Sequence, residues 1–433
     1  MRMPLARIGR QAYHRTELPN GLRILSAPRP DAESVSIGFW IGVGGRYESA
    51  RVSGISHFME HLLFKGTKRR SSRQIKEAIE GSGGAINAFT DEEFTCALAK
   101  VQPKNLGVAV EILSDMLLAP ALAPKEIERE RSVVLEEIRM YRDLPTQYVH
   151  EMLNGLLWPN HPLGRDVAGT PESLGRIRRR DLAGFQRRFY APRNVVVAAC
   201  GRLSHRALVE QVTRLWERVP PGARPSCRRA VQRQRKPRLK VQVKETEQTH
   251  FSLGFHAFPR NHPQVHALSL LNVALGGNMS SRLFQRVRED RGLAYEIGSQ
   301  VKRYRDTGLF SVSAGVEHKH LASCLRLVLQ ELRRVRREPV SPKEFGQIAE
   351  YLTGQILFAL EDTMEHMCWM GESEMLLGRV EPVEVLLGQV DQVRRRDLTR
   401  AARALLRPER LSLAVIGPVK PAAQRRLERL LAT

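Results

Sequence analysis

The sequence is short of cysteine, of aromatic residues and of long apolar runs. Its five cysteines, Cys96, Cys200, Cys227, Cys324 and Cys368, are scattered over 433 residues with no CxxC pair. An odd, dispersed set excludes a disulfide scaffold and points to reduced, mostly buried thiols in a reducing compartment. Apolar runs such as Val195 to Cys200 are far too short to cross a bilayer, so no transmembrane segment is expected. Met1 to Arg15 is basic but lacks an apolar h-region and does not read as a secretory signal. A cytoplasmic location is the expectation. Aromatic residues are only 6% of the chain and do not interleave with the short basic runs at Arg178 to Arg180, Arg333 to Arg337 and Arg394 to Arg396. The net charge of +23 raises nucleic acid, an anionic membrane or an acidic partner as candidates. Because the charge is spread along the chain, it reads as a solvated surface, and no nucleic-acid partner is expected.

What the chain does have is an ordinary globular composition, 42% hydrophobic and 27% charged, at a length that allows two to four domains. It also has an internal repeat. Pro192 to Gly201 reads as a buried strand, and Pro408 to Gly417 repeats it at an offset of 216 residues. Val35 to Trp40 matches Phe251 to His256 at the same offset, and Ala123 to Ile127 matches Ser341 to Phe345 at 218. Two copies of one unit follow: a first domain over 1–219, a proline-bearing basic linker over 220–240 and a second domain over 241–433. Asn20-Gly21 lies between two strand-like runs and reads as a hairpin turn. Strands and helices mix without strict alternation, so the expected class is α+β. Each copy should be an α/β sandwich with a mixed, mainly antiparallel sheet.

The chemistry concentrates in the first copy. Ser53 to Gly66 reads as one helix, with Ser53 as its cap and Gly66 at its exit. Ile55, Phe58, Met59, Leu62 and Leu63 make it largely apolar, yet His57, Glu60 and His61 share one of its sides. Such groups cost several kcal/mol if buried unpaired, and a metal removes the conflict. Two imidazoles one turn apart suit Zn²⁺, which needs a third protein ligand in a catalytic site. A second helix, starting at Ala123-Pro124 and running to Ile138, carries Glu130 and Glu137 nearly two turns apart on one face. Glu137 can complete the metal set, and Glu130 can orient a ligand. In the second copy Ile348 and Gln355 stand at the places of Glu130 and Glu137, and Leu268 to Asn272 contains no HxxEH. One copy thus carries a metal site and the other has none, the pattern expected if the second copy serves as wall and substrate clamp.

His57-x-x-Glu60-His61 is the inverted zinc motif. With Glu137 76 residues after His61, the chain resembles the pitrilysin/insulinase family of zinc metallopeptidases, in its processing-peptidase-like branch, over nearly its whole length. The resemblance implies one Zn²⁺ per chain held by His57, His61 and Glu137, with Glu60 as general base and Glu130 as the second acidic position. Gly83 to Thr90 resembles the family's edge strand, where Asn87 and Ala88 would bind the substrate backbone. Cys96 stands where many relatives carry a nearby Tyr, a mild departure. Gly276 to Phe284 and Arg288 to Tyr295 resemble its glycine-rich loop and Arg/Tyr pair. Arg288 and Tyr295 would contact the peptide near the scissile bond, and Tyr295 could donate to the oxyanion. The implied activity is a zinc endopeptidase acting on peptides or unfolded segments held as an extended strand in an enclosed chamber. Family enzymes build that chamber from four such units, so the chain is expected to form a homodimer or to pair with a related chain. The alternative is a non-catalytic scaffold or partner subunit of the same fold.

Overall fold

The computed structural model describes residues 13–432, so most of the Met1 to Arg15 segment on which the reading of no leader rests lies outside it. The first sheet contains β1 (His14–Glu17), β2 (Arg23–Pro28), β3 (Val35–Ile41), β4 (Ala85–Thr90), β5 (Thr95–Val101) and β6 (Val195–Gly201), ordered β1-β2-β6-β3-β5-β4. The second contains β7 (Arg238–Val243), β8 (Thr249–Ala257), β9 (Ala294–Arg303), β10 (Gly308–Val316) and β11 (Ser412–Gly417), ordered β7-β11-β8-β10-β9. Laying β2, β6, β3, β5 and β4 on β7, β11, β8, β10 and β9 shows one topology used twice. Each sheet has a single parallel pair, β2 with β6 and β7 with β11, and is antiparallel elsewhere. The class is α+β, with two mixed sheets packed with helices. Asn20-Gly21 does form the β1–β2 hairpin, with Gly21 at φ +87°.

Strand alternation explains why both faces of each sheet are covered. In β3 and β6, Val35, Ile37, Phe39, Ile41, Val195, Val197 and Ala199 enter the main helical core. Trp40, Val196, Ala198 and Cys200 point to the other face, where Met367, Met370 and Met375 of the helix Thr363–Leu377 cover them. The Trp40 indole fits only because glycines face it: a Cβ on Gly371 would lie 2.4 Å from the ring. The second sheet is treated the same way. Ala414 and Ile416 of β11 meet Val149, Met152 and Leu153 from the helix Pro145–Leu157.

The two compact units therefore do not follow the linear division at 220–240. One consists of 13–138, 165–228 and 357–385, and the other of 139–164, 229–356 and 386–432. Each copy lends one helix to the other's sheet. A repeat reads as two consecutive blocks in sequence, because an amphipathic helix carries no label for the sheet it will cover. A buried ion pair fixes the second of these helices: Glu374, 1% exposed at its side chain, lies 3.3 Å from the Arg23 guanidinium on β2. Among the described residues, no helix is long and apolar enough to cross a membrane.

The exchange predicts that residues 1–219 expressed alone will aggregate, and that co-expression of 220–433 will recover soluble protein. A soluble, cooperatively unfolding 1–219 fragment would contradict it. In the full chain, Met370→Ala should cost about 2–5 kcal/mol in denaturant unfolding, the range for deleting a buried long side chain.

Candidate metal centre

The motif helix spans Ile55–Leu63, shorter at both ends than the sequence reading, and buries Ile55, Phe58, Met59, Leu62 and Leu63. Ser53 is not its cap. Gly54 holds that position at φ +91° and has no side chain to offer. The orphan amides are satisfied from further away, by the buried Glu48 carboxylate, which accepts from Gly54 N at 2.7 Å and Ser56 N at 2.8 Å. Burial holds the Glu48 carboxyl above its ordinary range despite these bonds. The second helix, Pro124–Asp143, continues past Ile138. Its register against the motif helix is set by Arg131, whose guanidinium lies over the Phe58 ring at 5.3 Å and donates to the carbonyls of Leu174 and Ile177.

That register brings Glu137 to the two histidines. Its carboxylate oxygens lie 3.8 Å from His57 Nε2 and 3.4 Å from His61 Nε2, and the imidazole centroids are 4.7 Å apart. One donor atom from each of the three residues falls within 4.8 Å of the others. His61 Nδ1 faces Glu130 Oε2 at 3.4 Å, a long hydrogen bond. Glu130, 2% exposed, is itself held by Lys65 Nζ at 2.8 Å. Burial, reinforced by neighbouring His61, pushes His57 down to about 4, so it is neutral with a free lone pair near pH 7. Burial also pulls His61 down, but its bond to Glu137 and the surrounding carboxylates outweigh this and raise it. Glu137 is lowered by the hydrogen bond from His61, against the effect of its own burial. Two imidazole nitrogens and one carboxylate are a donor set that zinc accepts.

Glu60, on the same helix, is outside the ligand set. Burial raises its carboxyl above the ordinary range, opposed by a 2.7 Å hydrogen bond from Thr90 Oγ1. Thr90 ends β4, the last strand of its sheet, whose other edge pairs with no strand among the described residues. Asn87 is exposed on that strand, and its Oδ1 accepts from the amide of Ala88 at 2.9 Å. Arg288 and Tyr295 belong to the other compact unit. Arg288 lies in a π-helical turn, Phe284–Glu289, with its guanidinium 4.8 Å from the Phe284 ring and 5.1 Å from that of Tyr295, which is 76% exposed. Glu48, Lys65 and Thr90 were missed in the sequence. Lys65 alone had a local signal, since it follows His61 by one helical turn.

Residues 23–171 match the family described as Insulinase (Peptidase family M16), and residues 176–352 match the Peptidase M16 inactive domain. An uncharacterized zinc protease of Mycobacterium tuberculosis is 40% identical over 94% of this chain and 93% of its own. One of Bacillus subtilis is 35% identical over 92% of this chain and 97% of its own. Among solved structures, a protease from Helicobacter pylori superposes with a TM-score of 0.89 at 21% identity, covering 94% of this chain and 100% of that one. A chain of complex III2 from Candida albicans reaches 0.82 at 16% identity, covering 96% and 99%. At these identities the superpositions speak for the fold.

His61→Ala should abolish stoichiometric zinc. Glu130→Gln should retain it with affinity lowered about 10–100-fold, the usual effect of losing a group that orients a ligand. Chelator competition measures both, and unchanged affinity in Glu130→Gln would contradict the role given to it.

Proposed function

The chain belongs to the insulinase family of peptidases, and from that premise we propose that it is a zinc-dependent endopeptidase of the processing-peptidase-like branch. The observation that supports this most is the convergence of His57, His61 and Glu137 from two separate helices. Zinc held there would supply a Lewis acid that polarises the scissile carbonyl and acidifies a water molecule. Everything else falls to the protein. Glu60 takes the proton of the attacking water and passes it to the leaving amine nitrogen. A carboxylate whose proton affinity is raised by burial suits both steps. The open edge of β4 accepts an extended peptide by strand addition, with Asn87 and Ala88 as its contacts. Ala88's amide is already engaged by Asn87, so a peptide carbonyl would exchange with that side chain rather than meet a bare donor.

The second copy is proposed as a clamp without a metal of its own. Its helix Pro342–Glu361 has the length of Pro124–Asp143, but presents Ile348 and Gln355 where the first copy has Glu130 and Glu137. Arg288 is proposed to contact the peptide backbone and the Tyr295 hydroxyl to donate to the oxyanion. Peptides or unfolded segments are the substrate class, because strand addition reads backbone before side chain. A chamber of four such units requires a second chain, the same or a related one.

Glu60→Gln should keep one zinc per chain and lose about 10²–10⁴ of its turnover on a mixed peptide library read by mass spectrometry. A zinc-loaded Glu60→Gln protein that cleaves like wild type would remove the assignment. Zinc-loaded wild type that cleaves nothing would favour a scaffold. Sedimentation should show a two-chain assembly, alone or with a related chain, and a monomer that cleaves peptides at full rate would rule the shared chamber out.

A further inference from the structure

The Glu60 side chain has three rotatable bonds and sits on the same helix as His57 and His61. Among the described residues, the Thr90 hydroxyl is the one hydrogen-bond donor to its carboxylate, at 2.7 Å on Oε2. The hydroxyl is not free to choose another partner. Thr95 lies directly across the hairpin from Thr90, and its Oγ1 is 3.4 Å away, beyond a good hydroxyl bond. Thr95 is fully buried, and its own proton is committed to the carbonyl of Val43 at 2.9 Å. Thr95 thus fixes the end of the β4–β5 hairpin, and Thr90 turns its single proton to Glu60. The nearby Tyr190, whose ionisation is opposed by burial and then by Glu60's charge, makes no hydrogen bond to Glu60: its buried hydroxyl has no partner among the described residues.

We propose that Thr90 is a positioning residue that ties the Glu60 carboxylate to the edge strand on which the peptide is laid. The inference rests on the peptidase reading and deepens it. β4 then performs two tasks from one backbone. Its open edge sets where the scissile bond lies, and its terminal hydroxyl sets where the base lies. A shift of the strand moves both together, so their separation is conserved. With Oε2 gripped, Oε1 remains the oxygen that receives the proton. Holding a reacting group to within a fraction of an ångström is worth orders of magnitude in rate, and it does not change how tightly substrate binds.

The test uses the full zinc-loaded chain and two substitutions. Thr90→Val keeps the shape and removes the hydroxyl, and Thr90→Ser keeps the hydroxyl. Thr90→Val should lower kcat about 10–100-fold with KM within twofold of wild type and zinc content unchanged. Thr90→Ser should stay within about threefold of wild type. A crystal structure of Thr90→Val should show the Glu60 carboxylate displaced or in two conformers. Wild-type kcat in Thr90→Val, a loss confined to KM, equal damage from Ser and Val, or an unmoved Glu60 would each overturn the proposal. Absence of hydrolysis by the zinc-loaded wild type would sink the peptidase reading itself and take the catalytic meaning of Thr90 with it. The position of Glu60 in the Thr90→Val crystal still distinguishes that failure from a failure of the contact.

Discussion

The structure turns on the convergence of three titratable side chains, His57, His61 and Glu137, on one point. Two imidazoles and a carboxylate, drawn from two separate helices, bring their ligand atoms within 4.8 Å of one another in a partly buried space. The hydrogen bond between His61 and Glu137 raises the one and lowers the other, each against the opposing or added effect of burial and neighbouring charge. The surrounding architecture keeps this arrangement from relaxing. Glu48 pins the start of the motif helix, and Arg131 pins the second helix to Phe58. The Lys65–Glu130 pair holds the far side of His61. Each is a charged group placed against an apolar helix, affordable only because each finds its counterpart.

Much of this was legible in the sequence. Local periodicity put His57, Glu60 and His61 on one helix side, and the same argument put Glu130 and Glu137 on one face. The offset near 216 residues anticipated the shared strand order of the two sheets. The helix cap was not legible. Ser53 was the obvious residue by type, but the bonds come from Glu48, six residues before Gly54, through a turn that no helical spacing describes. Thr90 was passed over because the edge strand was read for its backbone, and its contact with Glu60 depends on tertiary placement.

The partner helices were the deepest omission. Pro145–Leu157 and Thr363–Leu377 are each recognisable as helices, and nothing within them says which sheet they serve. Their assignments appear only with side-chain fit, such as the Trp40 ring against Gly371, or the buried Glu374 meeting Arg23. Sequence reasoning weighs patterns along the chain, and these contacts pair residues more than three hundred positions apart.

That crossing of helices has a consequence for the chain as it is made on the ribosome. The first sheet is complete in sequence at Gly201, yet the helix that covers its second face starts only at Thr363. At typical elongation rates of about 5–20 residues per second, the gap lasts on the order of ten seconds or more. Through that interval the face bearing Trp40, Val196 and Ala198 has no cover from its own chain. The nascent protein thus has a window in which a chaperone is the only shelter for that surface, and polysomes are where its misfolding would begin.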